Sequence, residues 1–325
     1  MANKNEFSKS VLQRIKNLIS KQKSDIKPNI AKEFTKNIKI IECPRDAMQG
    51  LKVFLPTIKK ANYINSLLKV GFDTIDFGSF VSPKAIPQLK DTAEVVKKLD
   101  MSQTTSKLLA IVANERGAND AASFDEITYL GYPFSISNTF LKRNLNSSIK
   151  KSQKIVDELL NICTKNKKEL IIYISMAFGN PYGDKWNVDI VAKWVEELHK
   201  MGVRIIPLAD TIGSSNMKSI SALFSVLVPA FSDIEFGFHL HTSVRHWYRK
   251  VNAAYQNGCR RFDTAVNGLG GCPMAEEGQL VGNLRTSNLL EYLDTIGVST
   301  NIDEEAFLKA YMKALKTFPL ASFAK

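Results

Sequence analysis

No stretch of this chain stays apolar for the ~18–20 residues that a bilayer-crossing helix needs. Its longest apolar runs, near 170–178 and 222–231, have the length of buried strands or core helices. No membrane partner is expected. Cysteine is scarce and scattered. Cys43, Cys163, Cys259 and Cys272 form no CxxC pair, which argues against a cysteine-built zinc site. With no secretory signal in view, a disulfide framework is not expected and a reducing, cytoplasmic setting is. Neither a Walker-type loop nor a GxGxxG turn marks a nucleotide fold, and no Pro/Gly-rich linker divides the chain. Histidine is rare as well, at four in 325 residues.

What is abundant is lysine and apolar residues. A net charge of +12 and a 44% hydrophobic content describe a chain that can bury a large core under a basic surface. Most of that charge belongs to solvated helix faces. The excess also favours an anionic partner. Nucleic acid is not indicated, because no recognition signature accompanies the charge. A phosphate-bearing small molecule such as coenzyme A fits it equally well.

Residues 1–36 are Lys-rich and differ in composition from the rest of the chain. Phe7, Val11, Leu12, Ile15, Leu18 and Ile19 fall at helical spacing, so an N-terminal amphipathic helix is expected over 5–21. Glu6, Asp25 and a single arginine, Arg14, speak against an organelle presequence. From 37 onward, short apolar runs at 38–42, 74–77, 108–113, 127–130, 170–177, 204–209, 234–239 and 262–266 alternate with helical patterns near 51–69, 84–99, 115–123, 144–165, 188–200, 215–229, 243–257 and 286–296. Near-continuous apolar strands between helices imply a parallel sheet covered on its outer face. Eight such units predict an α/β fold of the closed (β/α)8 TIM-barrel type over 37–300. A short helical extension, 301–325, completes the chain.

Two of the four histidines, His239 and His241, end the seventh run. Side chains two apart on a strand share a face, and paired imidazoles suit one metal ion. In a barrel of this kind the strand C-termini line the active-site mouth. There the sequence gathers Glu42-Cys43-Pro44-Arg45-Asp46, Asp76, Asp210, the two histidines, and the glycine-rich run Gly268-Leu269-Gly270-Gly271-Cys272. Two imidazoles with oxygen ligands and open water positions suit Mg2+ or Mn2+, with Zn2+ and Co2+ compatible. Asp46 is the evident carboxylate ligand; the lesser reading of an acid there is a helix cap. Arg45 beside it is placed to hold a developing negative charge. A cysteine on a mobile loop near a cation can exchange protons.

Glu42-Cys43-Pro44-Arg45-Asp46-Ala47-Met48-Gln49 resembles the opening signature of the DRE-TIM metallolyase superfamily. Ser79-Phe80-Val81-Ser82-Pro83-Lys84, Leu208-Ala209-Asp210-Thr211-Ile212-Gly213 and 268–274 resemble the 3-hydroxy-3-methylglutaryl-CoA lyase family specifically. The likeness runs over 37–296.

That resemblance implies a divalent-metal-dependent retro-Claisen cleavage of 3-hydroxy-3-methylglutaryl-CoA to acetyl-CoA and acetoacetate, by a homodimer. It implies Asp46, His239, His241 and Asn283 as metal ligands, Arg45 as the group that stabilises the enolate, and Cys272 as the catalytic loop cysteine. Asp76 and Asp210 match the carboxylates that shape the site, and His239 doubles as a proton carrier. Three positions depart from the pattern. Asp76 stands where the family has Glu, Thr242 where many members have an acid, and the segment between Cys272 and Asn283 is longer. Other readings of the same residues are a Claisen-type synthase, an aldolase acting on 4-hydroxy-2-oxo acids, or a barrel that binds metal or a CoA ester without turnover.

Overall fold

The computed structural model describes residues 38–271 and 281–318. The expected N-terminal helix and Cys272 lie outside the described residues. Eight parallel strands close into a barrel in chain order. They are β1 (Lys39–Glu42), β2 (Thr74–Ser79), β3 (Lys107–Ile111), β4 (Ile127–Ser135), β5 (Glu169–Ser175), β6 (Ile205–Asp210), β7 (Glu235–Leu240) and β8 (Arg261–Thr264). All eight coincide with the apolar runs of the sequence. Closure is made by β1 against β8, with Ile41 opposite Asp263 and Glu42 opposite Thr264.

The connecting helices are more broken than their pattern suggests. One helix was expected over 51–69. The structure has the short α1 (Pro44–Gln49) ahead of that pattern and α2 (Thr57–Leu67) within it. Pro44 opens α1 at a position where its missing N–H costs nothing, and Pro56 fixes the start of α2. The pattern at 84–99 leaves a single turn, Pro87–Leu89, and the short α3 (Thr92–Val96). After α4 (Glu115–Ala122), a separate α5 (Asn138–Leu145) takes the first two residues of the helix expected over 144–165, which starts later, as α6 (Ile149–Lys165). Asn146 in the left-handed region ends the first, and the Ser148 hydroxyl caps the second. Then come α7 (Val188–Met201), α8 (Met217–Ala230), α9 (Trp247–Gln256), α10 (Thr286–Thr295) and α11 (Glu304–Thr317). No described helix is long and apolar enough to cross a membrane.

The strands present two different faces. Outward residues such as Ile40, Ile75, Phe77, Phe238 and Phe262 pack under the helices in one continuous core. The lumen is divided. From β3 to β6 it is apolar, with Leu109, Ile111, Tyr129, Ile171, Tyr173 and Ile205 in one cluster. Opposite, on β7, β8, β1 and β2, it is polar. At its lower end Glu235 accepts from Arg261 Nη1 at 2.9 Å and from Lys39 Nζ at 2.6 Å. At its upper end lie His239, Asp263 and Asp76. A barrel filled with hydrocarbon on one side and ionisable groups on the other directs its chemistry to the mouth of the polar half.

Candidate active site

Each side chain of the site is aimed by the element that carries it. Arg45 and Asp46 occupy the first turn of α1 and are buried along with the rest of that turn. Arg45 forks onto Asp76 of β2, with Nε 3.0 Å and Nη2 2.6 Å from Oδ2. Its Nη1 donates to Asp46 Oδ1 at 3.0 Å and to Gln49 Oε1 at 2.9 Å, while Gln49 returns a hydrogen bond to Asp46 Oδ1 at 2.6 Å. A guanidinium has five N–H groups. Among the described residues, these bonds leave one hydrogen of Nη2 without a partner.

The two imidazoles are fixed by their Nδ1 atoms. His241 Nδ1 lies 2.8 Å from the Thr211 carbonyl, which can only accept, so that nitrogen carries the proton. His239 Nδ1 lies 3.0 Å from Asp263 Oδ2 and donates to it. In the neutral rings both Nε2 atoms therefore present lone pairs, and these stand 3.2 Å apart. Asp46 Oδ2 is 3.8 Å from the His241 Nε2. Two lone pairs and a carboxylate in a buried space repel one another unless a cation lies among them. Asp46, His239 and His241 meet the spacing of a metal-ligand triad, with all ligand atoms within 4.8 Å.

Asn283 completes the surround. An isolated bridge pairs it with His241. Its Nδ2 donates to Asp46 Oδ2 at 2.6 Å and to the Leu269 carbonyl at 2.8 Å. Both partners are acceptors, so the amide cannot be flipped. Its Oδ1 is left as a buried acceptor with no partner among the described residues. A hard divalent cation is the partner that such an oxygen suits. The glycine run crosses immediately above. Gly271 N donates to Asp46 Oδ2 at 3.3 Å, and Gly270, at φ +119°, lies so close that a Cβ there would overlap Asn283 Nδ2 and Asp46 Oδ2. A cavity of about 270 Å3 opens beside Asn283, lined in part by Thr242, Gly268, Gly282 and Arg285.

Electrostatics follow from these contacts. Burial alone would raise the Asp46 carboxyl, yet Arg45 and the two imidazoles hold it well below the usual carboxylate range. Asp76 goes the other way. Burial, aided by the charges of Asp46 and Asp263, pushes it up to about 6 against the pull of Arg45. Burial would depress His239, but the hydrogen bond and charge of Asp263 outweigh it and raise the imidazole.

The structure thus brings together Arg45, Asp46, Asp76, His239, His241 and Asn283. It does not bring Asp210 to them. Asp210 pairs in register with Leu240, whose side chain lies in the outer core. Its carboxylate accepts from the Ser215 hydroxyl at 2.5 Å and from Lys250 Nζ at 3.2 Å. The reading of Asp46 as a helix cap is also replaced, since Cys43 holds the cap position and Asp46 lies inside α1. Sequence reasoning missed Gln49 and Asp263. The second was visible as the only acid inside an otherwise apolar run, Phe262-Asp263-Thr264-Ala265-Val266.

Residues 37–312 match the family model described as HMGL-like. The chain belongs to that family. It is 31% identical to the hydroxymethylglutaryl-CoA lyase YngG of Bacillus subtilis over 82% of this chain and 88% of the relative. It is 32% identical to the mitochondrial hydroxymethylglutaryl-CoA lyase of Bos taurus, over 85% and 84%. Among solved structures, the HMG-CoA lyase of Acinetobacter baumannii in complex with coenzyme A and 3-methylmalate superposes with a TM-score of 0.78 at 32% identity, covering 86% of this chain and 90% of that one.

Proposed function

We propose that this member of the HMGL-like family cleaves 3-hydroxy-3-methylglutaryl-CoA to acetyl-CoA and acetoacetate. The supporting observation is the convergence of two imidazole lone pairs, 3.2 Å apart, on the Asp46 carboxylate beneath Arg45. Asp46, His239, His241 and Asn283 would hold a divalent ion, for which the donor set favours Mg2+ or Mn2+. When bound, that ion supplies the Lewis acidity that orients a hydroxy-acyl substrate and acidifies its tertiary hydroxyl.

The chain's own residues supply the remaining chemistry. Of the residues read as proton carriers, His239 faces the site, where its Nε2 can serve either the ion or the hydroxyl proton but not both at once, whereas the carboxylate of Asp210 is occupied by Ser215 and Lys250. Loss of the hydroxyl proton lets the C–C bond break, leaving acetoacetate and the enolate of acetyl-CoA. Asp76 holds the Arg45 guanidinium rigid, so its free Nη2 hydrogen meets the enolate oxygen without reorganisation. Cys272, next after the glycine run that covers Asp46, returns a proton to the enolate carbon. The basic surface would favour the CoA phosphates. Cytoplasmic placement and a homodimer remain part of this reading.

The experiment is direct. Purified protein loaded with Mg2+ or Mn2+ under reducing conditions should release acetoacetate from 3-hydroxy-3-methylglutaryl-CoA. No acetoacetate under those conditions would sink the proposal, and turnover of a 4-hydroxy-2-oxo acid instead would move the chain to the aldolase reading.

A further inference from the structure

Asp263 stands directly opposite His239 in the β7–β8 ladder. It is fully buried, and its Oδ2 accepts the His239 Nδ1 hydrogen at 3.0 Å. Three neighbours surround the His239–Asp263 pair. Arg261, two residues earlier on the same strand face, is fully buried and puts a cation beneath it. Tyr173 stands edge-on to the His239 ring at 5.8 Å and closes the apolar side. Cys43 lies on the other side, its Sγ within 4.8 Å of both the imidazole and the carboxylate. A neutral imidazole carries one hydrogen, and the carboxylate fixes which nitrogen has it. Were the proton on Nε2, Asp263 would face a lone pair, and the ring would turn its N–H toward the site where a cation must sit.

We infer that Asp263 is the positioning residue of the candidate metal centre, holding His239 as the Nδ1–H tautomer with its Nε2 lone pair turned to Asp46 and His241. The inference rests on the metal reading of that centre. His241 obtains the same alignment from a backbone carbonyl, which no substitution of a side chain can remove. His239 alone owes its alignment to a replaceable group. Carboxylates that orient a metal-bound histidine through its second nitrogen typically contribute 10–100-fold in metal affinity.

Two measurements test this. Binding of Mn2+ to the full-length protein without substrate, read from the electron paramagnetic resonance of free Mn2+, should weaken ~10–100-fold in Asp263→Asn and Asp263→Leu, with partial recovery in Asp263→Glu. An Asp263→Asn protein that binds Mn2+ within about twofold of wild type overturns the inference. The second measurement needs no variant at Asp263 and no metal. The nitrogen-15 spectrum of the histidines in metal-free wild-type protein at alkaline pH, with His239 assigned by its loss in His239→Gln, should show the proton on Nδ1. A proton on Nε2 overturns the inference even if Mn2+ binds. Wild-type protein that binds no Mn2+ yet shows the Nδ1 tautomer upholds Asp263 as the holder of the ring and removes the metal reading alone.

Discussion

Glu42 offers a stability prediction that is independent of catalysis. It ends β1 on the outward side, fully buried, where Val266 N donates to Oε1 at 2.8 Å and the Thr286 hydroxyl lies 2.8 Å from Oε2. Burial pushes its carboxyl up to about 8, against opposing hydrogen bonds from Thr286, Val266 and Thr264. At neutral pH the group is mainly the uncharged acid. It then donates to Thr286, whose hydroxyl donates to Thr264 at 3.0 Å, whose hydroxyl donates to the Ile41 carbonyl at 3.2 Å. Every donor in that chain has an acceptor.

The folded protein therefore holds the Glu42 proton more tightly than the unfolded chain does. Stability from this group is fully present below its ordinary 4.5 and is lost as pH rises toward 8. At ~1.4 kcal/mol per pH unit, the ceiling on that loss at pH 7 is about 3 kcal/mol. Glu42→Gln mimics the neutral acid and removes the loss. A fixed cost of the second amide hydrogen appears equally at every pH and cancels between pH values. The stability of Glu42→Gln relative to wild type, from urea midpoints, should improve by about 2 kcal/mol between pH 5 and pH 7. A difference that stays flat across that range would refute the reasoning.

The site, and one buried ion pair outside it, carry four further expected outcomes. His241→Ala should lose metal by at least about tenfold, checked by metal content after dialysis; unchanged content would remove His241 from the ligand set. Cys272→Ala should lower turnover severely, by ~100-fold or more, with Mn2+ affinity near wild type; lost metal binding would contradict a loop role. Gly270→Ala places a methyl group against Asn283 and Asp46 on a backbone that disfavours it, and should weaken Mn2+ about tenfold while leaving the fold intact by circular dichroism. Lys250→Met leaves the buried Asp210 carboxylate without its cation and should cost ~3–5 kcal/mol in urea unfolding.

Much of the fold was legible because parallel strands buried on both faces write continuous apolar runs. All eight runs became strands. The helices were less legible, since periodicity alone does not show that Pro56 or Asn146 divides a run. Within the site, Arg45, Asp46 and the histidine pair could be read from chain order, because they sit at or just beyond strand ends. Asp210 could not. It ends β6 like its counterparts, but strand ends carry two faces, and register against Leu240 turns it toward Lys250. Asp263 stood out as an acid in its run, but its role was hidden, because its partner His239 lies on the neighbouring strand and not in the same run. Sequence spacing reports faces within a strand and is blind to which neighbour each face will meet.

Barrel closure also sets an order of events during synthesis. Asp46 and its partner Asn283 are separated by 237 residues. At ~5–20 residues per second, translation holds the two apart for on the order of ten seconds or more. For most of that interval the Arg45–Asp76 fork can form, but the acid that will face the cation lacks its imidazoles, and until the end it lacks its amide. The parts that bring them, β7 for the imidazoles and the segment after β8 for the amide, are also the last of the barrel to be made. Assembly of the centre and closure of the barrel are thus one step in time, so metal supplied late to a nascent chain would act on the same event that seals the fold.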